Sequence, residues 1–72
     1  MQPLTTKELE YIADSLSNED LLSKQCLAAA AQTQNQAVHQ YFTQAMQRHQ
    51  KHYQQLLHTL QQHVQMAPTQ PQ

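Results

Sequence analysis

The fold is decided by residues 36–65, QAVHQYFTQAMQRHQKHYQQLLHTLQQHVQ, a stretch that contains neither glycine nor proline. Apolar residues and two histidines recur in it at spacings of three and four, which matches one face of an α-helix. The members of this stripe are Val38, Phe42, Ala45, His49, Tyr53, Leu56, Leu60 and His63. The opposite side is rich in amides, with Gln40, Gln47, Gln54 and Gln61. The stretch therefore predicts one long amphipathic helix.

Two shorter helices are predicted upstream of it. Thr5 and Glu8 have the spacing of a capping box, which favours a short first helix over about residues 6–16. Ser17 has the residue type of an N-cap, so we expect a second helix over about residues 18–33. The apolar stripe of that second helix is narrow and built of small residues, namely Leu22, Cys26, Ala29 and Thr33.

A tight connection is predicted at Thr33-Gln34-Asn35-Gln36. Asn35 tolerates a left-handed helix end and is also a good cap for the helix that follows. An antiparallel helical hairpin results. We expect one helical domain over residues 4–66 and a disordered tail over residues 67–72, which contains two prolines.

The chain is short for an independent helical domain. It has 72 residues, of which 39% are hydrophobic. In a chain of this size, the free energy gained by burying apolar surface roughly balances the conformational entropy lost on folding. A second copy would cover the apolar stripes that a lone hairpin leaves wet. The predicted fold class is all-α: a helical hairpin with a short N-terminal helix, completed by dimerisation into a four-helix bundle.

Charge and composition exclude several classes of function. The formal net charge is −1 with only four lysines and arginines, so we expect no nucleic-acid partner. No apolar run approaches the roughly 18 residues of a membrane span, and the opening Met1-Gln2-Pro3-Leu4 lacks the features of a signal peptide. Cys26 is the only cysteine, so no intrachain disulfide forms. We expect synthesis in the cytoplasm and no membrane partner.

The sharpest chemical feature is the pair His49 and His52, three residues apart on the long helix. An i, i+3 histidine pair can chelate zinc, copper or nickel. The Glu-x-x-His pattern of di-iron bundles is missing, because Met46 stands three residues before His49. Only Glu19 and Asp20 are placed to reach inward. We expect the histidines to pack at the edge of the core, with their ring nitrogens bonded to glutamines or water and without metal or cofactor. Metal chelation is the alternative.

The remaining candidate groups predict no catalysis. Cys26 lies among apolar residues, where a thiol is inert, so the chain is not expected to be an enzyme. His39 and His58 are expected to face solvent, and His63 to cap the end of its helix as a protonated imidazole.

Three segments resemble the spore coat protein F (Coat F) family of endospore-forming bacteria. They are LTTKELEYIADSL at 4–16, AAQT at 30–33 and RHQKHYQQLL at 48–57, and the likeness covers about residues 4–63. The resemblance implies a ferritin-like bundle that has lost its metal ligands and a structural role in the spore coat.

The function expected from the sequence is that of a non-enzymatic structural or assembly protein of the spore coat, partnered by itself and by other coat or assembly proteins. The alternative is a ferritin- or rubrerythrin-related bundle that binds metal through His49 and His52. A further possibility is an adaptor whose hairpin docks in the groove of another protein.

Overall fold

The protein is a two-helix hairpin in a computed structural model, which describes residues 3–66. Helix α1 spans Thr6–Gln32 and helix α2 spans Gln36–Met66, and no strand occurs within this part of the chain. The two helices pack against each other along their lengths. The all-α class and the hairpin are confirmed. The tail predicted at 67–72 lies outside the described residues, and the dimeric bundle stays a prediction.

The start of α1 is fixed by the capping box that the sequence predicts. The Thr5 hydroxyl accepts a hydrogen bond from the Glu8 backbone N–H at 3.1 Å, and the Glu8 carboxylate accepts one from the Thr5 N–H at 2.9 Å. Two backbone donors that a helix N-terminus leaves unpaired are thereby satisfied.

The predicted break at Ser17 is wrong. A single helix of 27 residues runs through the position, so the separate short N-terminal helix over 6–16 does not form. Ser17 is exposed on this continuous helix and caps nothing. Neither glycine nor proline forces a break here, and a break would forfeit helical hydrogen bonds without a compensating gain. The Asp20–Lys24 pair at 2.9 Å, one turn apart, adds support across this region.

The connection lies where the sequence places it, over residues 33–35, between the helix ends. Asn35 accepts a hydrogen bond from the Val38 N–H through its side chain at 3.0 Å and so caps α2, as predicted. A left-handed end at Asn35 is not used, since no residue in the described part of the chain has positive φ. Thr33 instead ends α1 in an extended conformation.

Small residues form the seam between the helices. Ser23, Cys26, Ala30 and Ala45 are buried, and no large side chain among the described residues is fully buried. The α1 stripe is thus shifted from the predicted one: Ser23 replaces Leu22 at the seam. A leucine would hold the backbones apart, whereas the Ser23 hydroxyl donates to the Glu19 carbonyl at 2.8 Å and is buried without an unpaired polar group.

The hairpin is elongated rather than rounded. Its extents are 57 × 20 × 16 Å. Its radius of gyration is 16.5 Å, compared with about 11 Å expected for a compact domain of this length. One layer of two helices has no interior in which to bury large side chains, so its apolar faces stay open.

Candidate functional site

Glu19 of α1 and the histidine pair of α2 come together across the seam. The Nδ1 of His49 lies 2.5 Å from Oε2 of Glu19, and the Nδ1 of His52 lies 3.4 Å from Oε1 of the same carboxylate. One ligand atom from each residue lies within 4.8 Å of the other two. Glu19 and His49 are 30 positions apart in the sequence, so the hairpin alone creates this site.

The cluster is half-buried, with its open side on a shallow groove. The side chains of Glu19 and His49 are 19% and 25% exposed, whereas His52 is 50% exposed. Ser15 of α1 and Thr59 of α2 line the same groove. An ion held by the three side chains would therefore remain accessible to water.

The two imidazole rings are held at a large angle to each other. Their centroids are 5.9 Å apart and their planes are inclined by 81°. The His49–Glu19 hydrogen bond fixes one ring against α1, while His52 keeps the greater freedom of an exposed side chain. The carboxylate thus bridges both rings with its two oxygens.

The sequence predicted half of this site. His49 and His52 were candidates, and Glu19 was named as an acid able to reach inward, but their meeting was not predicted. The expectation that both histidines bond to glutamines or water is wrong for His49, whose partner is the Glu19 carboxylate. The sequence did contain a signal that Glu19 faces α2, because Glu19 lies four residues before Ser23 and therefore on the face that the seam buries.

The other histidines serve the hairpin itself. His39 was expected to face solvent, and although the residue is exposed, its Nδ1 lies 2.8 Å from the Ala30 carbonyl oxygen. That nitrogen must donate, because a carbonyl only accepts. His63 was expected to act as a protonated cap of its own helix. Its Nδ1 instead accepts the Leu4 N–H at 2.9 Å, which ties the chain before α1 to the far end of α2. His58 is exposed, as predicted.

A second groove lies on the other side of the seam. We call it the Leu27 groove: its apolar lining is Leu27 of α1 with Met46 and Tyr53 of α2. The exposed Asp20 and Lys24 lie at its edge, and Ser23, Gln50, Lys51 and Gln54 also line it. It shares no lining residue with the groove of the histidine cluster. Leu27 is 55% exposed although it is a large apolar residue.

A further exposed apolar side chain lies beyond the Leu27 groove, near the end of α2. Val64 lies five helical turns after Met46 and therefore on the same side of α2. It is 67% exposed. This side of the hairpin therefore carries exposed apolar side chains from Leu27 to Val64, interrupted by polar residues such as Gln50 and Gln54. We call it the open strip.

The candidate nucleophile of the chain is enclosed. Cys26 is buried in the seam, as the sequence predicted, and the buried Ser23 hydroxyl is occupied by the Glu19 carbonyl. A thiol in such surroundings is a packing group. Among the described residues, neither helix is long and apolar enough to cross a membrane.

The fold and the sites define a class of protein: a helical hairpin with a histidine–carboxylate cluster on one side and, on the other, an open groove whose apolar lining is centred on Leu27. Comparison with protein-family models, with curated proteins and with solved structures found no match.

Proposed function

We propose that the protein is a non-enzymatic assembly module that pairs with a second copy of itself through the Leu27 groove to form a four-helix bundle. In this proposal the bundle is a structural component of the spore coat. The single observation that carries the pairing is the missing core: no large side chain in residues 3–65 is fully buried.

The exposed apolar side chains supply the driving force. Leu27 and Val64 each leave more than half of their surface in water. Full burial of such a side chain contributes about 1.5–3 kcal/mol, so covering the exposed half contributes about 1 kcal/mol for each residue. A two-fold axis doubles every such contribution, because each copy presents the same groove.

A second copy suits the groove in length as well as in character. Helices of 27 and 31 residues are roughly 40 and 46 Å long at 1.5 Å per residue. Another hairpin of equal length would cover the strip from end to end, in the layered packing of four-helix bundles. The Asp20–Lys24 pair at the groove edge would remain on the polar rim.

The coat assignment is supported by the resemblance of residues 4–63 to Coat F proteins. The composition agrees with it: sixteen glutamines and few charges in the chain let neighbouring molecules form amide hydrogen bonds without the desolvation cost of a charge. The buried thiol supports a role without catalysis. A fluorescent fusion that stays diffuse through sporulation of an endospore-forming host would contradict the coat location.

Leu27 and Leu21 provide a matched test of the pairing surface. Both are leucines of α1 with nearly equal exposure, 55% and 54%. Leu21 lies two residues before the buried Ser23 and so points away from α2, about a third of a turn from Leu27. We expect Leu27→Glu to shift sedimentation towards the monomer with helicity retained, and Leu21→Glu to sediment like the native chain. Equal behaviour of the two variants would exclude the Leu27 groove as the interface.

A further inference from the structure

We infer that Glu19, His49 and His52 form a zinc site that ties α1 to α2, with water at the fourth position. The inference goes beyond the assembly role and is independent of it, because all three ligands belong to one hairpin. It rests on the convergence of one carboxylate and two imidazoles across the seam, with ligand atoms within 4.8 Å of one another.

Part of the cluster already has the spacing of a tetrahedral zinc site. Ligand atoms at about 2.0–2.1 Å from zinc lie roughly 3.3 Å apart. The separation between His52 Nδ1 and Glu19 Oε1 is 3.4 Å, which meets this value. The other oxygen of the carboxylate, Oε2, forms a direct hydrogen bond with His49 Nδ1 at 2.5 Å, and the ion would take the place of that bond. One ligand atom from each of the three side chains lies within 4.8 Å of the other two, so these atoms would have to approach by about 1.5 Å at most.

The donor set selects the kind of metal. Two imidazoles and one carboxylate suit zinc and its neighbours, whereas magnesium and calcium require a shell made of oxygen ligands. Three protein ligands with one open position are the pattern of accessible zinc sites. The position left for water opens on the groove lined by Ser15 and Thr59.

Local charges leave room for a cation. The carboxylate of Glu19 is its one acidic ligand, and Lys24 is already paired with Asp20 at 2.9 Å. Arg48 lies with its guanidinium carbon 6.0 Å from the centre of the Tyr41 ring, next to that aromatic face. These contacts give Lys24 and Arg48 other partners, and Lys51, the residue before His52, is exposed and lines the Leu27 groove on the other side of the seam.

The test is titration of the full chain, purified without a histidine tag, with zinc chloride by calorimetry. We expect one ion per chain and a rise in the thermal midpoint that grows with zinc concentration, since zinc binds only the folded hairpin. Cobalt chloride should give the intense visible absorption of four-coordinate Co²⁺. Magnesium chloride should give neither effect. Binding of less than one zinc ion per two chains would overturn the inference.

Three variants localise the ion. Glu19→Gln keeps the shape of the side chain and loses its charge, and His52→Gln replaces a half-exposed ring, so both should keep the helical circular dichroism of the native chain. Each should weaken zinc binding at least about 10-fold, because loss of a residue that only hydrogen-bonds to a metal ligand already lowers metal affinity by about that factor. The control His58→Gln changes an exposed histidine of the same helix and should leave the affinity unchanged. Equal affinity in all three variants would overturn the site.

Discussion

At the scale of single residues, a few polar contacts determine where each helix begins and hold the two ends of the hairpin together. Thr5 and Glu8 fix the start of α1, and Asn35 fixes the start of α2. His39 and His63 then bond backbone groups outside their own helix, on the Ala30 carbonyl and the Leu4 amide. Histidines that were predicted to face solvent or to cap their own helix thus hold the hairpin ends in place.

The capping carboxylate gives the stability of the hairpin a pH dependence. Hydrogen bonds from the backbone and side chain of Thr5 lower the pKa of Glu8 from its ordinary 4.5. A lowered folded-state pKa means that the ionised group stabilises the folded chain above pH 4.5, and that this contribution is lost as the pH falls through the lowered pKa.

Glu8→Gln isolates this effect, because glutamine can serve at the same position of a capping box without the charge. We expect the native chain to have the larger free energy of unfolding at neutral pH, and the two proteins to converge below pH 4.5. Urea unfolding followed by circular dichroism at a series of pH values measures this. A constant difference across the whole range would contradict the assignment.

At the scale of helices, continuity and close approach are the two features that set the hairpin. The α1 helix runs unbroken through Ser17, and small residues such as Ser23 and Ala45 let it lie close to α2. Both features depend on what the chain lacks: no glycine occurs anywhere in it, and no large side chain among the described residues is fully buried.

Ser17→Ala distinguishes a continuous helix from two helices with a cap between them. Inside a helix alanine is favoured over serine by up to about 0.5 kcal/mol, so we expect a small gain in the free energy of unfolding. Loss of a true N-cap would instead cost about 1 kcal/mol. Thr5→Ala, at the actual cap of α1, is the control and should show that loss. A comparable loss in Ser17→Ala would mean that α1 is divided.

Periodicity predicted α2, the position of the connection and the burial of Cys26, because each depends on local spacing. It misplaced the α1 seam by one residue, at Leu22 instead of Ser23, since hydrophobicity alone does not show that a leucine is too large for the contact. The break at Ser17 was predicted wrongly because a capping residue is also tolerated on an exposed helix surface. The meeting of Glu19 with His49 depends on the register between the helices, which sequence spacing within either helix does not contain.

At the scale of the whole molecule, the hairpin is 16 Å thick in its smallest dimension. That is one layer of helix, and a layer has two faces. One face carries the Glu19–His49–His52 cluster, and the other carries the open strip from Leu27 to Val64. In our account the two faces have different roles: the face with the open strip pairs with a second copy, and the face with the histidine cluster binds zinc.

The mass of the native chain in solution tests the central claim of self-association most directly. Light scattering coupled to size-exclusion chromatography, at tens of micromolar and at neutral pH, should give twice the chain mass of 8.3 kDa, with strong helical circular dichroism in the same sample. A fully helical species of 8.3 kDa that persists as the concentration is raised would contradict the account.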